Sequence, residues 1–153
     1  MKKRTFLVLA FLIMTSCRNN DAVEPAHAFA DRFIAAENKA WSTGDVGDLK
    51  ALEGSGVIYH LPGLDLTGWK AHEDYIVQGR PKIAKLKQNW KYLSGEGSHF
   101  ALAYDSTATM LADGKTPPSD VANNDLFFFR LKDNKIAEVW VNGSVTSSEL
   151  KKP

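Results

Sequence analysis

The stretch VANNDLFFFRLKDNKIAEVWVNGSV, residues 121–145, decides the fold class of this 153-residue chain. It is rich in aromatic and β-branched residues, and the polar run KDNK at 132–135 interrupts it. This pattern predicts two antiparallel strands joined by a tight turn. Because Phe127, Phe128 and Phe129 follow one another, both faces of the first strand are apolar, and the strand is expected to be central and buried.

Further strands are predicted on both sides of the chain's middle. SHFALAYDSTATML, residues 98–111, reads as a strand, and the segment 112–120 that follows it is rich in turn formers. GVIYHLPG, residues 56–63, is a β-branched and aromatic run that Pro62 and Gly63 stop. These segments predict a sheet formed mainly by the C-terminal half.

Helical spacing dominates the first part of the chain. Residues 26–45 predict an amphipathic helix that ends at Gly44, with an apolar face formed by Phe29, Phe33, Ala36, Ala40 and Trp41. Shorter helices are predicted over 45–52, with Asp45 as N-cap, and over 65–79, with Thr67 as cap. A last helix is predicted from Pro81 to 93, with Ile83, Leu86 and Trp90 on one face. An already extended end of this segment is the alternative. Helices followed by antiparallel strands indicate an α+β fold, with the helices packed on one face of a curved sheet.

The N-terminus, MKKRTFLVLAFLIMTSC, predicts export. Three basic residues precede an apolar run at 6–14, which is too short to span ~30 Å of hydrocarbon. This pattern is typical of a signal peptide, here residues 1–16. Thr15 and Ser16 before Cys17 resemble a bacterial lipobox, which implies cleavage before Cys17 and lipid on its sulfur. Arg18 in the next position implies outer-membrane sorting if the cell is Gram-negative.

Cys17 is the only cysteine, so an intrachain disulfide is excluded. Acylation would remove its reactive thiol and hold the protein at a membrane of the cell envelope. A free or intermolecularly paired thiol is the alternative. We expect residues 17–26 to be a lipidated tether and residues 27–148 to be a single domain.

Charge excludes one class of partner. Removal of residues 1–16 takes away three of the 19 basic residues and none of the 18 acidic ones. The mature chain therefore carries 16 basic and 18 acidic residues, a net charge of −2. Nucleic-acid binding is not expected, because it needs a basic surface. No metal site is expected either, since the four histidines show no HxxxH or HExxH spacing.

Four short motifs in a fixed order resemble a known family. They are AWSTGDVGDLKAL at 40–52, VIYHLPG at 57–63, LTGWKAHEDYI at 66–76 and FFFRLKDNKIAEVW at 127–140. Over about residues 28–144, the chain resembles a SnoaL-like protein of the nuclear transport factor 2-like superfamily. The resemblance implies a cone-shaped, strongly bent mixed sheet whose helices close the wide end over an apolar pocket. Its members include polyketide cyclases, steroid isomerases, epoxide hydrolases, dehydratases and domains that only bind or dimerise, so it does not specify a reaction.

Two residues are candidate acid–base catalysts. His60 stands before Pro62-Gly63, and in the cyclase branch a histidine in such a context reaches the cavity, where it could shuttle a proton. Alternatively, it is a strand-end histidine bonded to backbone. Asp125 shares a strand face with Phe127 and Phe129, and a carboxylate beside aromatic rings can have a raised pKa. Alternatively, Asp125 is a solvated residue at the start of the strand.

The expected pocket lining is aromatic with one amide. We predict that Tyr59, Trp90, Trp140 and Asn142 bind the ligand, with Trp140 as an apolar plate and Asn142 fixing orientation. Glu138, Trp140 and Asn142 alternate along the last strand and so share one of its faces. Core packing is the alternative for Trp140.

The functional prediction depends on one departure from the family pattern. The catalytic cyclase branch ends in E-x-W-x-x-x-D; Glu138 and Trp140 match it, but Ser144 holds the position of the aspartate. Serine cannot transfer protons without a partner base. The sequence therefore favours a lipid-anchored domain that binds a small apolar ligand without catalysis. The alternative is a cofactor-independent lyase, isomerase, cyclase or hydrolase with His60 and Asp125 as acid and base. A homodimer through the sheet face fits either hypothesis.

Overall fold

The computed structural model describes residues 24–147. The predicted signal peptide, the lipidation of Cys17 and most of the tether lie outside the described residues. The elements, in chain order, are α1 (Ala26–Thr43), α2 (Gly47–Leu52), β1 (Glu53–Leu61), β2 (Leu64–Thr67), α3 (Trp69–Gly79), a 3₁₀ turn (Arg80–Lys82), β3 (Ile83–Glu96), β4 (His99–Met110), β5 (Ser119–Lys132) and β6 (Lys135–Ser147).

The strands form one mixed sheet in the order β2-β1-β6-β5-β4-β3. The β1–β6 pair is parallel, and the other pairs are antiparallel. Helix α1 packs against β3 and β4, and α3 packs against β1 and β2. A curved mixed sheet with helices against it confirms the predicted α+β cone. Among residues 24–147, no helix is both long and apolar enough to cross a membrane.

Helix α1 buries the face that its spacing predicts. Phe29, Phe33 and Ala40 are fully buried. The Phe33 ring meets Phe129 of β5 edge to face, with 4.7 Å between the ring centroids. Gly44 has φ 84° and donates its N–H to the carbonyl of Ala40 at 2.8 Å, which ends the helix in a left-handed cap. This packing fixes the helix against the concave face of the sheet.

The helix predicted from Pro81 is wrong, because this segment is strand β3. From Leu86 to Tyr92 half-buried and exposed residues alternate, which is the period of a strand. A bulge between Ala84 and Lys87, with Lys85 at φ 53°, shifts the phase of the strand by one residue. The shift places Ile83 and Leu86 three positions apart on the same face, and this spacing imitates a helix.

Smaller corrections concern the helix starts. Val46, not Asp45, is the N-cap of α2, and Asp45 Oδ1 instead accepts the N–H of Gly47 at 3.0 Å. Thr67 ends β2, a strand that was not predicted, and Gly68, with φ 82°, takes the cap position of α3. The Pro62-Gly63 turn therefore joins the hairpin β1–β2 rather than a strand and a helix.

Candidate functional site

The helices and the concave face of the sheet enclose a cavity of ≈ 390 Å³. This volume is that of a small-molecule site. Its walls are mostly apolar and aromatic, and they include Leu61, Leu86, Trp90, Met110, Phe127 and Val141. Three titratable side chains of particular interest also line it: Glu37 of α1, His72 of α3 and Asp125 of β5.

Asp125 faces the cavity, as its alternation with Phe127 predicts. In the sheet it stands directly opposite Gly143 of β6 and Tyr104 of β4. Within residues 24–147 its carboxyl group forms no hydrogen bond or ion pair. Burial and, to a smaller extent, the charge of Asp105 raise the pKa of Asp125. An unpartnered carboxyl group with a raised pKa is able to donate or accept a proton in this cavity.

A second polar group lies at the helix side of the cavity. Glu53, at the start of β1, accepts hydrogen bonds from Tyr59 Oη at 2.7 Å and from His72 Nδ1 at 2.8 Å. The other ring nitrogen of His72, Nε2, lies 3.9 Å from Oε1 of Glu37. All four residues are buried. They form a connected network, the Glu37–His72–Glu53–Tyr59 network, which reaches the cavity through Glu37, His72 and Tyr59.

The network holds protons near neutral pH. Burial raises the pKa of Glu37 to about 7; Glu53 adds to the rise, and His72 and the Trp41 side chain oppose it. Burial lowers the pKa of His72, but the hydrogen bond and charge of Glu53, with the charge of Glu37, outweigh burial and raise it overall. Glu37 can therefore exchange a proton within the ordinary range of enzyme operation.

Glu37 should make stability depend on pH. Its folded-state pKa of about 7 exceeds its ordinary 4.5, so the folded protein binds a proton that the unfolded chain releases. The free energy of unfolding should therefore fall by roughly 3 kcal/mol between pH 4.5 and 7. His72 contributes in the same direction, because its pKa is also raised.

We expect Glu37→Gln to remove most of this fall. Chemical unfolding of the wild type and the variant at pH 5 and pH 8 measures the difference. An equally steep loss of stability in both proteins would contradict a titrating Glu37.

Three of the predicted site residues do not reach the cavity. Tyr59, Trp90 and Asp125 line it, but His60, Trp140 and Asn142 do not. Tyr59 and His60 are neighbours in a strand, so only one of them can face inward, and that one is Tyr59. His60 pairs in register with Trp140, which places both on the outer, convex face of the sheet. The predicted shared pocket of His60, Trp140 and Asn142, and a joint action of His60 with Asp125, were therefore wrong.

On the outer face, His60 belongs to an ion-pair cluster. Its Nδ1 lies 3.0 Å from Asp65, and its Nε2 lies 3.0 Å from Glu138. Glu138 also accepts a hydrogen bond of 2.6 Å from Arg130. Glu138 and Asp65 raise the pKa of His60, while Arg130 and His60 lower the pKa of Glu138. The His60 ring stacks on Trp140, with 5.7 Å between centroids.

The outer face also exposes apolar side chains. Phe128 is 46 % exposed and Leu126 39 % exposed, beside the partly exposed Trp140. The prediction that both faces of β5 are buried was therefore wrong, although β5 is a central strand. Phe127 and Phe129 face the cavity side, and Phe128 between them faces outward.

Sequence reasoning missed Glu37 and Glu53. One signal was present: Glu37 lies four residues after Phe33, on the apolar stripe of α1. A carboxylate on such a stripe is rarely buried without a partner. No local pattern identifies Glu53, because its partners come from β1 and α3. Among the described residues, no group of three or more histidine, cysteine and acidic side chains could hold a metal ion.

Comparison with known proteins identifies the fold of this chain, through similar solved structures. No family model matches the chain. No curated protein matches its sequence. A structure described as a SnoaL-like polyketide cyclase from Shewanella denitrificans superposes with a TM-score of 0.64 at 11% identity, over 77% of this chain and 89% of that one.

Two further solved structures are similar. A structure described as a polyketide cyclase from Silicibacter sp. has a TM-score of 0.62 at 19% identity, over 76% of this chain and 88% of that one. The epoxide hydrolase/cyclase-like enzyme SalBIII of salinomycin pyran-ring formation has a TM-score of 0.61 at 16% identity, over 77% and 92%. At these identities the likeness is one of fold, and this chain has the nuclear transport factor 2-like α+β fold.

Proposed function

We propose that this protein is a cofactor-independent enzyme that performs acid–base chemistry on a small, uncharged, apolar molecule in the cavity. One observation carries the proposal: the Asp125 carboxyl group lines the cavity, forms no hydrogen bond or ion pair with residues 24–147, and has a raised pKa. Glu37, with a pKa of about 7, lines the same cavity and supplies the second group. Pairs of carboxyl groups with shifted pKa values are how many enzymes divide acid and base roles.

We propose catalysis in place of the non-catalytic binding function that the sequence favoured. That preference rested on Ser144, which stands where the family pattern has an aspartate. The carboxyl group of Asp125 comes from the neighbouring strand and lies against Gly143, the residue before Ser144. The cavity therefore has a carboxyl group from β5 although position 144 of β6 supplies none, and this answers the main argument against catalysis.

The charge of the cavity supports an uncharged substrate. Among the described residues that line it there is no lysine and no arginine, while Glu37 and Asp125 are both acidic. His72 also lines the cavity, but its ring is already bonded to Glu53. An anionic ligand would therefore meet acidic groups and lose its hydration without an unpaired cation among the described lining residues. Apolar and aromatic walls favour a hydrophobic skeleton.

The reaction class follows from the two acids and from the similar enzymes. SalBIII is described as epoxide hydrolase/cyclase-like, and a similar structure from M. tuberculosis is described as an LEH-like epoxide hydrolase. We propose that Glu37, which holds its proton up to its pKa of about 7, gives that proton to an epoxide or carbonyl oxygen. Ionised Asp125 takes a proton from the attacking hydroxyl or water, whose oxygen bonds to the epoxide carbon as the ring C–O bond breaks. With a carbonyl probe, Asp125 instead takes the proton from the carbon beside the carbonyl, which leaves the enol. Exchange with solvent then returns Glu37 and Asp125 to their starting forms.

A panel of uncharged probes tests the proposal. Styrene oxide, limonene oxide and 2-tetralone would be incubated with wild-type protein in D₂O, and NMR would follow ring opening and exchange of the protons beside the carbonyl. We expect acceleration over buffer for at least one probe class, and none for matched carboxylate-bearing probes. Probes that bind, as shown by chemical-shift changes of cavity residues, but react no faster than in buffer at pH 5 to 8 would favour the binding function instead.

We further propose that two copies of the protein associate through the outer face. Leu126, Phe128 and Trp140 lie on adjacent strands and form a continuous exposed apolar surface. Exposed lysines of β3 border it at one edge, and Asp65 of β2 borders it at the other. A twofold axis parallel to the strands would lay β3 of one copy over β2 of the other and so pair opposite charges.

Phe128→Glu should convert this dimer to monomer, because it buries a charge against the partner's apolar surface. Leu111→Glu, at an exposed leucine just after β4, is the matched control and should leave the dimer intact. Light scattering after size-exclusion chromatography measures both masses. A wild type that is monomeric at high micromolar concentration would refute the dimer.

The lipid anchor is a proposal that rests on the N-terminal sequence. Cys17→Ala should abolish incorporation of labelled palmitate and release the protein from the membrane fraction, because no acyl chain could then be attached. Ser16→Thr, which keeps Cys17, serves as a processing control. Retention of the Cys17→Ala protein in the membrane fraction would contradict lipidation at Cys17.

A further inference from the structure

We propose that Gly143 of β6 is the residue that positions the Asp125 carboxyl group, an inference that rests on the function proposed above. Asp125 and Gly143 are direct cross-strand partners in the antiparallel β5–β6 pair. Both residues line the cavity. A positioning role means that Gly143 acts through Asp125 and contributes no chemistry of its own.

The geometry shows why the position must lack a side chain. A Cβ atom added to Gly143 would overlap Oδ1 of Asp125 and would lie 2.5 Å from its Cγ and 2.9 Å from its Cβ. Real Cβ atoms essentially never approach other atoms so closely. The Asp125 carboxyl group thus occupies the space that the side chain of residue 143 would otherwise fill.

Backbone conformation does not explain this glycine. The glycines with positive φ among residues 24–147 are Gly44, Gly63, Gly68, Gly97 and Gly114, and Gly143 is not among them. Its backbone conformation is therefore open to any residue. Space for the Asp125 carboxyl group is the remaining requirement that the described residues place on this position.

The neighbours of Asp125 leave few other positions for its carboxyl group. Tyr104 stands beside it on β4, and Phe127 and Asn123 flank it on the same face of β5. A methyl group at position 143 would therefore drive the carboxyl group toward the middle of the cavity, away from the wall. This movement would change both its distance to a bound substrate and its hydration, and hence its pKa.

Gly143→Ala tests the proposal, with Gly56→Ala as the matched control. Gly56 also lies in a strand, and a Cβ added there meets no atom within 4 Å. We expect Gly143→Ala to lower turnover of a probe found in the panel by roughly 10²-fold, the usual effect of displacing a reacting group by about 1 Å. It should also shift the pKa of Asp125, measured by ¹³C NMR of its carboxyl carbon, whereas Gly56→Ala should change neither.

A stability cycle makes the result independent of any substrate. Gly143→Ala should lower the melting temperature of the wild type but have little effect in an Asp125→Ala background, where the clash is absent. If Asp125→Asn leaves turnover intact, the proposed function fails, but the cycle and the pKa shift still report on positioning. An unchanged Asp125 pKa together with equal melting-temperature effects in both backgrounds would overturn the role of Gly143.

Discussion

Asp125→Asn is expected to lower turnover roughly 10²–10⁴-fold, which is the usual contribution of a general acid or base. Asparagine has almost the same shape as aspartate, so the cavity and the packing against Gly143 should be retained. An amide cannot give or take the proton, however, and the base is lost. Because the substitution removes chemistry rather than contact, substrate affinity should change little. Steady-state kinetics on the best probe, with binding measured separately by NMR titration, separates the two effects.

Asp105→Asn is the matched control for this substitution. Asp105 is exposed, and its charge contributes to the raised pKa of Asp125. Its removal should therefore lower the pKa of Asp125 and move the acid limb of the pH–rate profile to lower pH, while the maximal rate stays close to that of the wild type. Equal losses of activity in Asp105→Asn and Asp125→Asn would mean that activity depends on nearby negative charge and not on the Asp125 carboxyl group itself.

Glu53→Ala should destabilise the fold by roughly 3–5 kcal/mol, the typical effect of removing one partner from a buried charged pair. Glu53 is the acceptor for both Tyr59 and His72, and the side chains of Glu53 and His72 are almost completely buried. Its loss leaves an imidazole and a hydroxyl group without a partner inside the protein. Urea unfolding at pH 6 gives the free energy.

Tyr59→Phe is the comparison for Glu53→Ala. It deletes one hydrogen bond to Glu53 and keeps the His72–Glu53 contact, so the expected loss is about 0.5–1.5 kcal/mol. A Glu53→Ala protein no less stable than Tyr59→Phe would show that the His72–Glu53 pair contributes nothing to folding.

The elements with a strong period were predictable from sequence. Helix α1 and strands β4, β5 and β6 lie close to where their patterns place them. Strand β3 was not predictable, because its bulge at Lys85 breaks the alternation and gives Ile83 and Leu86 a helical spacing. Strand β2 has only four residues, too few for a period to be recognised.

The candidate site was predictable only in part. Alternation along β5 gave Asp125 its correct face, since Phe127 and Phe129 anchor the pattern. For β1 and β6 the choice of face depends on which residue pairs with which across the sheet, and this register is a tertiary property. His60 and Trp140 were assigned to the cavity for that reason.

Local sequence patterns could not predict contacts between segments that are distant in the chain. Glu53 meets His72, 19 residues later, and Asp125 meets Gly143 only because β5 and β6 pair in this register. The aspartate on β5 and the glycine opposite it on β6 are explained only when the two strands are considered together. The conclusion drawn from Ser144 alone was therefore incomplete.

A crystal structure of the protein with a bound uncharged epoxide or ketone probe tests the central claim most directly. The probe's oxygen is predicted to lie within about 2.6–3.2 Å of the Glu37 carboxyl group, with the reacting carbon on the side of Asp125, inside the cavity between α1, α3 and the sheet. A probe bound on the outer face beside His60 and Trp140, or one in the cavity whose oxygen and reacting carbon are turned away from both Glu37 and Asp125, would contradict it.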